Sequence, residues 1–148
     1  AMQDPETIAF LKDRGSRAKL ITSVCTGSLV LAAAGLLKGY KATSHWAARE
    51  SLRDFGAEPV DARVVIDRNR ITGAGVTAGI DFGLHILAKL RDQRYAEGVQ
   101  LLAEYAPEPP FNAGTPKTAP KESVELMTGM LVQFVDNVRT VAKTIATK

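Results

Sequence analysis

The sequence predicts an α/β domain with a mainly parallel sheet. Short β-branched runs alternate with helical patterns along the chain, as in repeated strand–helix–strand units. Small residues follow directly where two of the runs end, at 25–28 and at 73–75. Because ligands of parallel sheets bind at the carboxyl ends of the strands, these two loops are expected to meet at one cleft.

The first half of the chain begins with a helix and then alternates strands with helices. Asp4 suits the helix cap, Pro5 suits the first helical position, and Gly15 is a stop signal. In chain order the predicted elements are helix 5–14, strand 19–24, helix 26–37, strand 41–44 and helix 46–55.

The second half begins with a predicted hairpin. Residues 63–66 and 70–72 flank Asp67-Arg68-Asn69, which has the composition of a hairpin turn. Two helices, over 77–91 and 95–105, follow the hairpin.

The segment 106–120 contains five prolines, which excludes a helix or a central strand. Two interpretations stay open: a structured surface loop anchored by Phe111, or a stiff linker. A helix over 121–148 follows. Its apolar residues recur at spacings of three and four, which predicts packing on the core or on a second subunit. These residues are Met127, Met130, Leu131, Phe134, Val138, Val141 and Ile145.

The start of the chain bears on domain organisation. It opens in a helix with no strand before it, whereas a parallel sheet needs several strands with their crossovers. Residues 1–120 are therefore expected to be the C-terminal portion of a larger α/β domain. Residues 121–148 are expected to form a C-terminal helix that packs on the core or on a dimer partner.

Composition excludes several classes of protein. The net charge of +3, from 19 basic and 16 acidic side chains, is too mild to indicate nucleic acid or a membrane surface as partner. One cysteine and two histidines argue against a disulfide framework and a structural zinc site. We therefore expect no metal, and we expect no cofactor. We also expect a cytoplasmic location, since no targeting pattern is present.

Cys25 is the main candidate for chemistry. It lies between a β-branched strand and a helix, on a run of small residues, which is the layout of a nucleophile elbow. Backbone N–H groups at the start of a helix favour a thiolate, the nucleophilic form of cysteine. The alternative is an inert cysteine that packs as a small apolar residue.

Three other features bear on the chemistry of the cleft. His45 also follows a strand end, so it is either a pocket residue or a histidine bonded to nearby backbone. The Gly73-Ala74-Gly75 run lacks the spacing of a dinucleotide fingerprint and indicates close backbone approach to a ligand or to a neighbouring strand. Asp81 suits a helix start, where capping or a salt bridge is expected rather than acid catalysis.

Five stretches together resemble the DJ-1/PfpI superfamily and, within it, the isocyanide hydratases. The resemblance covers about residues 1–120. The stretches are Ser23-Val24-Cys25-Thr26-Gly27-Ser28 with its continuation to 32, then 35–39, 42–46, 71–81 and 99–114.

This resemblance implies a flavodoxin-like sandwich, a homodimer and no cofactor. It makes Cys25 the nucleophile that attacks an isocyanide carbon, giving a thioimidate that water resolves to an N-substituted formamide. Thr26 would contribute its backbone N–H and its hydroxyl. Gly75, Val76 and Thr77 would line an apolar pocket for the organic substituent, with His45 as a further pocket residue.

The sequence departs from the family in two places. Protease-like and deglycase-like relatives place a histidine directly after the nucleophile, where this chain has Thr26, which counts against a peptidase. The acidic partner of the cysteine lies in the N-terminal part of the family's domain, and no residue here matches it, so that part is an expected partner. Two alternatives stay open: a ligand-sensing domain of a transcription regulator, and a cysteine-based redox or stress protein.

Overall fold

The structure is a computed structural model that describes the backbone of residues 1–146 and the side chains of residues 1–145. Six of its eleven elements are helical. In chain order they are helix α1 (Pro5–Gly15), strand β1 (Ile21–Val24), helix α2 (Gly27–Ala33), strand β2 (Lys41–Ala42), a 3₁₀ helix (Arg49–Phe55), strands β3 (Glu58–Pro59), β4 (Val64–Asp67) and β5 (Arg70–Gly73), and helices α3 (Ala78–Leu90), α4 (Gln93–Leu102) and α5 (Lys121–Ala146).

The strands form two small sheets. The first has the order β1-β5-β4, with β1 and β5 parallel and β4 antiparallel to β5. The second pairs β2 with β3 in parallel. In the first sheet Val24 lies opposite Gly73, so the carboxyl ends of the two parallel strands are level. The predicted mainly parallel α/β sheet and the β4–β5 hairpin are both confirmed.

The core lies between α2, the 3₁₀ helix and α5, which pack on one another, while α3 packs on the first sheet and on α4. Leu29, Leu37 and Leu52 are almost completely buried, and each such side chain contributes about 1.5–3 kcal/mol of stability. The cluster comprises Ile21, Leu29, Leu31, Ala32, Leu37, Ala42, Ala48, Leu52, Ala57 and Val138.

The first helix begins as predicted, because the Asp4 carboxylate accepts the N–H of Thr7 at 3.1 Å and Pro5 occupies the first turn. By contrast, α2 ends at Ala33 rather than at Leu37. Gly35 adopts a φ of +76°, and the N–H of Leu36 bonds to the carbonyl of Leu31 at 3.0 Å. This is a Schellman motif. The apolar pattern continues past the end of the helix and therefore concealed its boundary.

The segment after α2 also differs from the prediction. Strand β2 ends at Ala42 instead of Ser44, because the next two residues bond to other elements. Thr43 donates its N–H to the side chain of Thr72, and Ser44 donates its hydroxyl to the carbonyl of Cys25. The helix predicted over 46–55 is a 3₁₀ helix that begins at Arg49.

Only part of the apolar stripe of α5 is covered by the chain. Val138 and Val141 are buried, and Val138 belongs to the core cluster. Met127, Met130 and Phe134 are exposed. Contact of this exposed half with a second subunit stays a prediction, and the last two residues of the predicted helix lie outside the described residues.

Residues 103–120 form neither helix nor strand. The prediction that Phe111 anchors this segment is wrong, because its side chain is 78% exposed. The segment is held at its far end instead, where Lys117 pairs with Asp61 at 2.7 Å. Thr115 and Thr118 also bond to each other there. In the part of the chain that the structure describes, the helices do not combine the length and apolar character needed to cross a bilayer.

The end of α4 contains a strained residue. Glu104 has a φ of +49°, while the N–H of Tyr105 bonds to the carbonyl of Gln100 at 3.1 Å. This is again a Schellman motif, with glutamate at the position that glycine usually occupies. The turn directs Tyr105 back toward α3, where its hydroxyl donates to Asp81 at 3.1 Å.

Replacing Glu104 by Gly should raise the free energy of unfolding by about 1 kcal/mol, because an L-residue is strained in the left-handed region and glycine is not. Glu97→Gly, within α4, is the matched control and should lower stability by about 1 kcal/mol. Denaturant unfolding measures both. A loss of stability in both variants would contradict the assignment of strain to Glu104.

Candidate active site

Cys25 occupies a strained turn between β1 and α2. Its φ is +59°, in the left-handed region that disfavours residues with a Cβ. Its N–H donates to the carbonyl of Gly73 at 3.0 Å, and its carbonyl accepts the hydroxyl of Ser44 at 2.9 Å. Backbone bonds to two other segments therefore hold the cysteine in this conformation, and its side chain is only partly buried.

A buried polar chain supports this turn. The hydroxyls of Ser23 and Ser28 are 2.8 Å apart, and Ser28 donates to the carbonyl of Thr43 at 2.7 Å. The N–H of Thr43 donates to the hydroxyl of Thr72 at 2.9 Å. Together these bonds connect β1, α2, the segment after β2, and β5. The hydroxyl of Thr43 itself is buried without a hydrogen-bond partner.

The glycine loop after β5 allows close packing. A Cβ at Gly73 would lie 3.4 Å from the Cβ of Phe82 and 3.5 Å from a methyl of Val24, and a Cβ at Gly75 would lie 3.8 Å from the ring of His45. Gly73 therefore lets α3 and β1 approach β5 closely. The close backbone approach predicted for the glycine run is therefore an approach to neighbouring elements of the chain, β1 and α3.

A cleft of about 630 Å³ opens beside this loop. It brings together four of the predicted site residues, His45, Gly75, Val76 and Thr77. Cys25 and Thr26 are outside its lining, but Cys25 bonds to Gly73 and Ser44, the residues just before two of the lining stretches. The lining consists of His45, Trp46 and Arg49, with residues 61–63, 74–77 and 114–117.

The cleft has charged side chains among its apolar lining residues. Arg49, Arg63, Lys117 and Asp61 all contribute to its lining, and Val76 supplies an exposed apolar side chain beside them. Sequence reasoning missed these four charged residues. Their partners lie 12 to 56 positions away along the chain, so no local pattern marked them.

The surroundings of His45 favour its neutral imidazole. Burial lowers the pKa of His45, and its Nδ1 accepts the N–H of Ala47 at 3.4 Å. The ring also lies 5.5 Å from that of Trp46. A bond to nearby backbone is one of the two predicted alternatives for His45, and it leaves Nε2 as the protonated nitrogen of the neutral ring.

One charge network fixes the Thr77 side of the cleft. Arg63 forms a salt bridge with Asp81 and donates to the hydroxyl of Thr77 at 3.2 Å. Asp81 also accepts the hydroxyl of Tyr105 at 3.1 Å. The hydrogen bond to Asp81 raises the pKa of Arg63. The salt-bridge interpretation of Asp81 is thus confirmed.

A second charge network lies on another wall of the cleft. Asp61 accepts from Arg49 at 2.6 Å and pairs with Lys117 at 2.7 Å. The hydrogen bond from Lys117 and the charge of Arg49 lower the pKa of Asp61. The end of the proline-rich segment, residues 114–117, is therefore part of the cleft.

The fold, with a strained cysteine at a strand–helix turn beside a glycine loop, defines the class of protein. The model of the DJ-1/PfpI family matches residues 1–89, and the chain belongs to that family. A crystal structure of a ThiJ/PfpI family protein from Pseudomonas syringae superposes with a TM-score of 0.93 at 62% identity, over 95% of this chain and 58% of that one. The predicted DJ-1/PfpI type of α/β fold is confirmed.

Two kinds of curated relative are similar to the chain. It is 52% identical to the isonitrile hydratase of Pseudomonas putida over 124 residues, which are 84% of this chain and 54% of the hydratase. It is 37% identical to an HTH-type transcriptional regulator of Pseudomonas aeruginosa over 86 residues, which are 57% of this chain and 23% of the regulator. The chain thus spans little more than half of the hydratase.

Replacing Thr72 by Val should lower the free energy of unfolding by about 1–3 kcal/mol, because the buried N–H of Thr43 loses its acceptor. Thr43→Val is the matched control. It removes a buried hydroxyl that has no partner, so it should leave stability unchanged or raise it. Denaturant unfolding compares the two variants, and equal losses would contradict the assigned roles.

His45 should make folding sensitive to mild acid. Because its pKa is lowered in the folded state, the unfolded chain takes up the proton first. The stability from neutral His45 is present above the unfolded pKa of about 6.5 and is lost as the pH falls from there toward the folded value. His45→Gln should flatten this dependence.

Unfolding curves at about pH 7.5 and about pH 5.5, on either side of the unfolded imidazole pKa, measure the effect. His85→Gln, at an exposed position of α3, is the control for loss of an imidazole. Equal flattening in the two variants would show that the effect does not come from burial of His45.

Proposed function

We propose that the chain carries the nucleophile and the substituent pocket of an isocyanide hydratase. The observation that carries this proposal is the left-handed Cys25 turn, bonded to Gly73 and Ser44 at the edge of the cleft. The similarity to an isonitrile hydratase supports the reaction. The strained turn supports a role for the cysteine beyond packing, since such strain concentrates at functional sites.

In the first step the thiolate of Cys25 attacks the terminal carbon of an isocyanide. A carbon–sulfur bond forms, the carbon takes up one proton, and the product is a thioimidate in which carbon is doubly bonded to nitrogen. Thr26, the residue before α2, contributes its backbone N–H and hydroxyl to the charge that develops at the reacting atoms. Fixed donors of this kind stabilise such charge without reorganisation.

In the second step water adds to the thioimidate carbon. The carbon–sulfur bond then breaks, so that the thiolate leaves and the N-substituted formamide is released. One proton is returned in this step, which balances the proton consumed in the first. Gly75, Val76, Thr77 and His45 hold the substituent of the substrate in the cleft that they line.

The proposal assigns the proton donor to the N-terminal part of the family's domain, because no residue of this chain matches the family's acid. Residues 1–120 accordingly form the C-terminal portion of that domain. Helix α5 (Lys121–Ala146) packs on the core and, through its exposed apolar half, on a partner copy in a homodimer. The exposure of Met127, Met130 and Phe134 supports that contact.

Cys25→Ala should abolish formation of formamide from cyclohexyl isocyanide, measured by NMR with the intact protein. Ser16→Ala, at the exposed end of α1, is the surface control and should retain activity. Rapid acid quenching and mass spectrometry should detect the thioimidate on the peptide that contains Cys25. Turnover by Cys25→Ala would contradict the covalent mechanism.

A second candidate is the ligand-sensing domain of a transcription regulator, which is favoured by the similarity to a regulator. In the described residues α5 is one continuous helix, without the helix pair that reads DNA in such proteins. Retention of the intact protein on duplex DNA at physiological salt, with no formamide formed, would favour this candidate. Oxidation of Cys25 without hydration would favour a redox or stress role.

A further inference from the structure

One wall of the cleft carries more positive than negative charge. We call Arg49, Asp61 and Lys117 the cationic wall. Both oxygens of the Asp61 carboxylate are engaged, Oδ1 with Arg49 at 2.6 Å and Oδ2 with Lys117 at 2.7 Å. Two cations therefore share one carboxylate, and the wall keeps one positive charge in excess.

The other charges of the cleft do not cancel this excess. Arg63 is paired with Asp81, so that pair adds no net charge. The Nδ1 of His45 accepts the N–H of Ala47, as in a neutral ring. Asp61 is the only carboxylate in the lining that the structure describes. A group that enters the cleft therefore meets one uncompensated positive charge.

The two cations differ in how they are held. The side chain of Arg49 is only 17% exposed, and its Nε is buried without a hydrogen-bond partner. Burying a guanidinium with an unpaired donor is unfavourable, so stability alone does not account for its position. Lys117 is 79% exposed, and its ammonium has three donors, of which the bond to Asp61 uses one.

The reacting carbon and the wall belong to different parts of the site. Cys25 lies outside the cleft lining but bonds to Gly73 and Ser44, which precede two of the lining stretches. A substituent that fills the cleft contacts the charged lining residues and not Cys25. A purely apolar substituent would leave Lys117 and Arg49 partly desolvated without any new partner.

We propose that this cleft selects isocyanides whose substituent ends in a carboxylate, which Lys117 and Arg49 of the cationic wall bind. The proposal rests on the proposed hydratase function and names its substrate class. A carboxylate has one negative charge, which matches the single charge in excess. Its planar pair of oxygens also suits a guanidinium and an ammonium that both pair with the one carboxylate of Asp61.

The test compares two substrates that differ only in the carboxylate, 4-isocyanobenzoate and phenyl isocyanide. With the intact protein, kcat/KM should favour 4-isocyanobenzoate, and added salt should reduce the preference through screening. Lys117→Met should reduce it about threefold to fivefold, as expected for a partly exposed charge pair. Lys89→Met, on the exposed face of α3, is the control and should leave the preference unchanged.

Asp61→Asn separates charge recognition from a structural tether. It frees both cations from their shared carboxylate, so the preference for 4-isocyanobenzoate should increase. If the wall served only to hold the proline-rich segment, Lys117→Met and Asp61→Asn would change the preference in the same direction. Equal kcat/KM for both substrates, with hydration intact, would overturn the proposal and leave the hydratase function standing.

Binding of the products separates failure of this proposal from failure of the hydratase function. In the Cys25→Ala protein, calorimetry should show tighter binding of 4-formamidobenzoate than of formanilide, and Lys117→Met should reduce the difference. Lys117-dependent binding without hydration of either isocyanide would support the cationic wall and contradict the hydratase function. Equal binding of both products would contradict recognition of the carboxylate by the cationic wall.

Discussion

The parallel pairing of β1 with β5 is the constraint on which the site depends. It places Val24 opposite Gly73, so the chain leaves both strands at the same level. The N–H of Cys25 then bonds to the carbonyl of Gly73, which extends the pairing by one residue and holds the cysteine at a φ of +59°. The strain is tolerated because the hydrogen bonds of Cys25 to Gly73 and Ser44 prevent its relaxation.

The buried hydroxyls explain why this part of the core is polar. Ser23, Ser28 and Thr72 are buried, yet each has a hydrogen-bond partner on a different segment. Such bonds add little net stability, but an unpaired buried group costs much more. They therefore select one arrangement of β1, α2 and β5 over other packings of the same apolar residues. Ser44 has the same role, because its hydroxyl donates to the carbonyl of Cys25.

The cleft illustrates how distant segments supply charge to a site built on loops. Arg63 and Asp81 fix the Thr77 side of the cleft. The ion pair between Asp61 and Lys117 attaches the proline-rich segment to residues 61–63. Tyr105 reaches the first of these networks through the strained turn at the end of α4. A framework of short strands thus gains a defined cleft, and the irregular segments, which carry few apolar contacts, are held by charge.

The sequence by itself determined the order of the elements and the main candidate residue. β-branched runs, caps and glycine stops are local, so α1, β1, the hairpin and α3 were predicted close to their observed bounds. Cys25 was found for the same reason, since the small residues of its turn are adjacent in the chain. The motifs of residues 71–81 also placed Gly75, Val76 and Thr77, which the structure brings together with His45 in one cleft.

Only the tertiary structure decided the charges of the cleft, the φ of Cys25 and the role of the proline-rich segment. Asp61 and Lys117 are far apart in sequence and meet because the chain folds back over the cleft. The short β2 strand and the early end of α2 likewise depend on bonds from Thr43 to Thr72 and on the turn at Gly35. Local propensity describes single elements, whereas these features depend on the energies of contacts between elements.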